Sequence, residues 1–488
     1  MDGKIFYNLI GGKEMLLSGK TYKATSEFFI DYSIQCADSN IMDVKIAISK
    51  AQNAMEELQS MSVENRKQIL MKFIKLISSD EEFEKHITLM SGIPISSSRN
   101  QAQELVSFFK DQIDELFVNY EVKNNNIYSR FDPQSIFTPK QGIVYVPLPL
   151  LAVRAIGMIL PISILLGMPI IVKSNKIIVS FLFKIADILK QLGYPAAGFN
   201  IIDFNQMNEN ASSLNNALIN ASDVVWTFGD DNSIGYEKTN NQSTGDDVVL
   251  KDLFYGKTII NHPYHNHTAI VCNGGDIERS IDIIVESCIS FPFECSLKSL
   301  YIVEECYEEV KQKLIEKFFN LAEKTGNPLY EGNQIGFCDR DTKESVKNRI
   351  IDLEKMGLIN ILVGVKYDQE QENVSFKNHK MNPLLLETND ELVDILTASP
   401  AVGILTIMKC TDINDGIEKI NKVLDKKRIG VTFLGKDLKE TLPEEVMLKA
   451  NAIHLKVNVK TVKPDLTCHD GRFYFLLLTE LKRILRSE

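Results

Sequence analysis

The sequence predicts an α/β protein built on parallel sheets with crossover helices. Three observations carry that expectation. From Gly142 onward, short apolar runs alternate with segments of helical periodicity. A second alternating stretch begins near Lys257 and runs to about Val459. Hydrophobic residues make up 44% and charged residues 24% of the 488, a globular composition rather than a disordered one. At about 100–200 residues per domain, roughly two to four domains fit a chain this long. Such a chain can bury several cores without staples.

Asn8-Leu9-Ile10-Gly11-Gly12-Lys13 reads as a strand and a turn. Ile41, Val44, Ile46, Ala47 and Ala51 share one face of a helix over about 41–60, and Ile69, Leu70, Phe73 and Ile77 do so over 63–79. A third helix is expected through 101–116, and Asn124-Asn125-Asn126 marks a polar break. Then come a strand at 142–146, a helix at 149–166, a strand at 169–173, a helix at 177–192 and a strand at 199–203. A short helix at 214–220 and a strand at 224–227 complete this run. Parallel sheets of this kind bind ligands beyond the carboxyl ends of their strands. In the second stretch, strands at 268–271 and 300–303 flank a helix at 277–290, and a charged helix spans 307–325. The tail 473–485 opens on the apolar run Phe473 to Leu478. It is expected as an edge strand or a helix, docked on a partner subunit or on its own chain.

Charge narrows the function classes. Lys and Arg number 54 and Asp and Glu 65, for a net charge of −11. That balance argues against nucleic-acid binding, which needs a basic patch. Eight scattered cysteines without a CxxC pair, and an N-terminus without a basic segment and apolar core, point to free thiols, no structural zinc and a cytoplasmic location. Ala155 to Val172 carries no charge and has the minimum length of a membrane span. Pro161, Gly167 and Pro169 interrupt it, and the mean hydropathy of the chain is −0.07, so a buried helix followed by a buried strand is expected and no membrane span.

The order of segments resembles the aldehyde dehydrogenase superfamily over nearly the whole chain. The resemblance rests on the opening Asn8-to-Lys13 turn, Pro149-Leu-Leu-Ala-Val-Arg154, Gly167-Met-Pro-Ile-Ile-Val-Lys173, Leu192-Gly-Tyr-Pro-Ala-Ala-Gly-Phe-Asn200, and Gly326-Asn-Pro-Leu-Tyr-Glu-Gly332 followed by Gln334-Ile-Gly336. It implies a Rossmann-like cofactor domain from 1–116 and 138–256, an α/β catalytic domain from 257–460, and an oligomerisation arm from 117–137 plus 461–488. It also implies a homodimer or homotetramer.

From spacing alone, Cys295 in Phe291-Pro-Phe-Glu-Cys-Ser296 reads as a buried apolar cysteine or a nucleophile. The resemblance implies the second. A thiolate there would attack an aldehyde, pass a hydride to a nicotinamide and retain a thioester. Cys288 is the local competitor. Lys173 matches the family lysine at the adenosine ribose. Lys176 stands where a glutamate often accepts from the ribose 2′-hydroxyl, and a cation there favours NADP over NAD. Gly229 and Gly235 bound a turn like the family's phosphate-facing one, with one residue extra.

Several positions depart from the family pattern. Pro147 replaces the oxyanion-hole asparagine and offers no amide; a lost donor of this kind costs on the order of 10² to 10³ in rate. His262 takes the place of the hydrolytic glutamate; it can serve as a base, or belong with His265 and His267 to a polar loop. The missing carboxylate is a trait of members that release the acyl group to CoA, so acyl-CoA reduction enters the expectation. Ser399 and Ala401 replace the glutamate and phenylalanine that position the nicotinamide ribose and ring. The expected function is an NAD(P)-dependent oxidoreductase acting on a small aldehyde or acyl thioester, with CoA as a candidate co-substrate. The alternative is a catalytically silent homologue acting as a structural or binding subunit.

Overall fold

The structure is a computed structural model that describes residues 4–29, 31–77, 80–123, 126–130, 135–148, 153–228, 256–262, 267–274, 276–289, 296–364, 380–390, 403–424, 430–435, 452–455 and 479–483. The chain opens with β1 (Ile5–Phe6), β2 (Asn8–Ile10), β3 (Lys13–Met15), β4 (Thr21–Thr25) and β5 (Ser33–Ala37). Helices α1 (Ile41–Ser60), α2 (Val63–Leu76), α3 (Glu81–Ser91) and α4 (Ile95–Asn119) follow, then β6 (Tyr120–Lys123), β7 (Asn126–Ser129) and β8 (Ser135–Pro139). The expected alternation then appears as β9 (Val144–Pro147), α5 (Val153–Leu166), β10 (Ile170–Lys173), α6 (Val179–Gln191), β11 (Phe199–Ile202), α7 (Ala211–Ala221), β12 (Val224–Phe228) and β13 (Thr258–His262). A second run holds β14 (His267–Val271), α8 (Ile277–Cys288), β15 (Leu297–Val303), α9 (Tyr307–Glu323), α10 (Arg340–Lys355), β16 (Asn360–Val363), β17 (Leu384–Glu387) and β18 (Ile404–Cys410). It ends with α11 (Ile413–Leu424), β19 (Gly430–Leu434), β20 (Ala452–Leu455) and β21 (Thr479–Arg483).

Two seven-stranded sheets organise these elements. The first has the order β13-β12-β9-β10-β11-β2-β3, parallel except where β2 and β3 join. The second has the order β16-β17-β18-β15-β14-β19-β20, antiparallel only at β16. Pairing of β13 with β12 keeps the chain in the first sheet until His262, beyond the Lys257 start that the alternation suggests.

Both faces of the first sheet are covered, as a parallel sheet requires. Ile170, Val172, Ile201 and Trp226 pack with α2 to α6, while Tyr145, Ile171, Ile202 and Val225 pack with α1 and α7. This period-2 division follows from strand geometry. The uncharged stretch splits as expected. The buried helix α5 ends at Leu166, Gly167 turns with φ +69°, and β10 begins at Ile170. Among the described residues no helix is long and apolar enough to cross a membrane.

Strands β6, β7 and β8 form an antiparallel sheet whose fourth strand is β21. The described part of the tail is therefore a strand on its own chain. Segment 325–337 joins the two units. Gly326 N–H donates to Ile335 O at 3.0 Å, Phe337 N–H to Gly92 O at 2.8 Å, and Ile95 N–H to Pro328 O at 2.8 Å. Arg99 on α4 reaches Glu84 at 3.1 Å and Glu331 at 2.9 Å.

Candidate cofactor and active site

Lys173 is the last residue of β10, in register with Pro147 on one side and Ile202 on the other. Leu148 N–H donates to Lys173 O at 3.1 Å, and Ser174 N–H donates to Ile202 O at 2.8 Å. The carboxyl ends of three parallel strands thus meet at this lysine, where open α/β sheets bind ligands.

Lys173 is not a solvated strand end: it is 5% exposed. Among the described residues its Nζ makes one long hydrogen bond, 3.5 Å to Ser174 O, and it lies 5.0 Å from the centre of the Phe204 ring. An ammonium carries three donors, so this one is under-bonded for its burial. Burial pulls its pKa down, while Asp203 and Cys36 pull it back up. Beside it, the fully buried Ser174 hydroxyl has no partner among the described residues.

Asp203, directly after β11, completes the group. Its carboxylate accepts from the Tyr22 hydroxyl at 3.3 Å on each oxygen. Its backbone is pinned by Asn8 Oδ1, which accepts from Asp203 N–H at 2.9 Å, and by Ser39 Oγ, which donates to Asp203 O at 2.5 Å. Burial pushes the Asp203 carboxyl up to about 7, against the pull of Lys173 and of hydrogen bonds from Phe204 N–H, Tyr22 and Cys36. Burial also pushes the Tyr22 hydroxyl and the Cys36 thiol upward. Nothing in the sequence pattern singled out this acid; its partners on β4 and β5 are far away along the chain.

Lys176 is nearby and partly exposed, with Nζ 3.8 Å from Glu27 Oε1. Its carbonyl accepts from His86 Nε2 at 3.1 Å. Pro147 ends β9, so the position opposite Lys173 has no N–H to give. His262 closes β13 at the same edge of the sheet, in register with Phe228. Cys295, Gly229, Gly235, Ser399 and Ala401 lie outside the described residues.

The residues flanking Cys295 are described. Cys288 ends α8 with no exposure, and burial pushes its thiol up to about 12, so it is a neutral core cysteine at ordinary pH. Ser296 is buried just ahead of β15. Lys298 on β15 is a second buried lysine that the sequence reading missed. It is 3% exposed, and burial lowers it to about 8 beside Cys288 and Cys338. The signal was a lysine inside the fully buried run Leu297–Val303.

The aldehyde dehydrogenase family profile matches residues 18–432. The chain belongs to the aldehyde dehydrogenase family. It is thereby an aldehyde dehydrogenase-type oxidoreductase by descent. No curated protein matches the sequence. Solved structures match its fold end to end. An NAD-dependent aldehyde dehydrogenase from Sinorhizobium meliloti aligns with TM-score 0.77 at 14% identity, covering 99% of this chain and 94% of that one. An NAD-dependent benzaldehyde dehydrogenase from Corynebacterium glutamicum aligns with TM-score 0.75 at 16% identity, covering 98% of each chain. An NADP-dependent glyceraldehyde-3-phosphate dehydrogenase from Bacillus halodurans C-125, solved with NADP, aligns with TM-score 0.73 at 14% identity and 98% of each chain. At these identities the likeness is one of fold.

Proposed function

We propose that the protein is an NAD(P)-dependent oxidoreductase acting on aldehydes or acyl thioesters through a thioester on Cys295. The observation that carries the reading is the Lys173 ammonium, under-bonded among the described residues and buried beside the Ser174 hydroxyl, which has no partner among them, at the carboxyl edge of a parallel sheet. Buried polar groups without partners are costly, and a ribose hydroxyl would satisfy them. The residues present therefore fit the ribose end of a dinucleotide. The cofactor-binding part is built on the first sheet and the catalytic part on the second.

When bound, the nicotinamide supplies the hydride acceptor or donor. The chain's own residues do the rest. The Cys295 thiolate attacks the aldehyde carbon and holds the acyl group as a thioester after hydride loss. His262 relays the thiol proton, a task suited to imidazole near neutral pH. Pro147 cannot stabilise the oxyanion, so backbone N–H groups carry that load. No carboxylate stands at the His262 position to activate water, which favours release to a thiol such as CoA and, in reverse, acyl-CoA reduction. The protein acts in the cytoplasm as a homo-oligomer, its β6–β8 and β21 sheet serving as the arm.

The test is a pre-steady-state assay. Aldehyde plus NAD(P) is expected to give a burst of reduced cofactor, with turnover only once CoA is added. Steady turnover in water alone rejects the acylating version. Cys295→Ala removes the burst, whereas Cys288→Ala keeps it. Pro147 favours a second reading, a catalytically silent subunit. That reading holds if neither dinucleotide binds and Cys295 alkylates no faster than an unfolded thiol.

A further inference from the structure

We propose that Asp203 is a specificity-determining residue that reads the ribose 2′ position of the dinucleotide, accepting from a 2′-hydroxyl and repelling a 2′-phosphate. This rests on the dinucleotide reading above and deepens it. Dinucleotide-binding sheets place an acid near a strand end for the ribose 2′-hydroxyl. Position 176 holds a lysine, and the acid of this chain stands one strand over, directly after β11 and beside Lys173 and Ser174.

The group has the donors and acceptors that a vicinal diol needs. A carboxylate offers about four lone-pair directions. Tyr22 and Cys36 engage Asp203 with hydrogen bonds, the two from Tyr22 being long at 3.3 Å, so acceptor capacity remains. Lys173, on the other side, has donors that no described residue takes up. A 2′-phosphate would instead bring a charge of about −1.5 to −2 against this carboxylate in a buried setting. Lys176 offers that phosphate a counter-charge, but Glu27 already faces it at 3.8 Å. Cofactor choice then depends on the ionisation of Asp203.

The groups facing Asp203 are Tyr22 from β4, Cys36 from β5 and Lys173 from β10. Tyr22 and Cys36 are shifted upward and stay neutral, so the carboxyl is the acid that titrates near neutrality. Raising the pH ionises Asp203 and weakens NADPH binding. The ionisation of the phosphate itself, near pH 6, has the opposite sign, because a fuller charge binds lysines better.

Calorimetric Kd values for NADH and NADPH test this, measured on the full chain at about pH 6 and about pH 8.5. The wild type is expected to bind NADH about tenfold more tightly than NADPH at the higher pH, with the gap shrinking at least about threefold at the lower. Asp203→Asn is expected to weaken NADH, to close the gap between the two dinucleotides, and to lose the weakening of NADPH binding as pH rises, leaving only the opposite trend of the phosphate itself. An Asp203→Asn protein whose ratio matches the wild type at both pH values overturns the proposal while leaving the dinucleotide reading intact. A wild-type ratio that does not move with pH overturns it even if the variant fails to fold. If the wild type binds neither dinucleotide, the dinucleotide reading fails and this inference fails with it.

Discussion

The imidazole of His86 on α3 donates from Nε2 to the carbonyl of Lys176 at 3.1 Å and accepts at Nδ1 from the Tyr32 hydroxyl at 2.7 Å. A carbonyl can only accept, so the bond to Lys176 places a proton on Nε2, and with burial holding the ring neutral, Nδ1 is the acceptor. The bond also ties α3 to the turn that carries Lys173, Ser174 and Lys176. Burial lowers the His86 pKa to about 4. An unfolded histidine titrates near 6.5, so the unfolded chain binds the extra proton first as pH falls. Stability is therefore lost between about pH 6.5 and 4, by on the order of 2 to 3 kcal/mol. His86→Gln should not show that loss. Urea unfolding of both proteins at about pH 7 and pH 4.5 checks it; equal acid losses would remove His86 as the cause. The comparison also cancels Asp203, whose raised pKa acts with the opposite sign.

Lys298 predicts an effect on the alkaline side. Its pKa in the fold is about 8 against an ordinary 10.5. Between those values the unfolded chain holds a proton that the folded chain has released, so stability rises with pH. The wild type should gain on the order of 2 to 3 kcal/mol relative to Lys298→Met from about pH 8 to 10.5. Unfolding midpoints across that window measure the slope. A flat difference would mean that Lys298 keeps its charge in the fold.

The elements were legible where local chemistry and periodicity agree. Helix α1 is one case: Asn40 accepts from Met42 and Asp43 N–H, Asp43 accepts from Asn40 N–H, and an apolar stripe follows. The strands of the first sheet were legible because both their faces are buried and they read as short apolar runs. Membership of β13 in that sheet was not, because an apolar strand does not announce its partner. Asp203 was missed for a related reason. Its neighbours Lys173, Tyr22 and Cys36 come from three other strands, and a lone acid after a strand looks like a surface turn. Lys173 stood out in the sequence only through resemblance, and its burial appears only in the structure.

Lys176 and Glu27 give a prediction that separates surface charge from the Asp203 effect. Lys176→Glu should weaken NADPH binding more than NADH binding, because only the former carries a phosphate for the lysine to meet. Glu27→Gln should do the reverse and strengthen NADPH alone by up to about threefold, since the pair is half-exposed and screened. Titration calorimetry reads both. Equal effects of Lys176→Glu on the two dinucleotides would place Lys176 outside the cofactor site.

Gly336 in the Gln334-Ile-Gly336 signature is expected to tolerate no side chain. A Cβ there would lie 1.9 Å from Gly92 O, a backbone atom. That oxygen cannot retreat: it accepts from Phe337 N–H at 2.8 Å, and Gly92 itself caps α3 with φ +73° and donates to Thr88 O at 2.9 Å. Gly336→Ala must therefore push segment 325–337 away from the α3–α4 corner, at about 1–3 kcal/mol. Gly332 in the same signature is the control. Its added methyl would meet Tyr330 Cε1 at 2.6 Å, but that ring is 66% exposed and can swing aside. Gly332→Ala should stay within about 0.5 kcal/mol of the wild type. Urea midpoints of the two variants decide the matter, and similar losses in both would show that the close approach at Gly92 is not what holds the two units together.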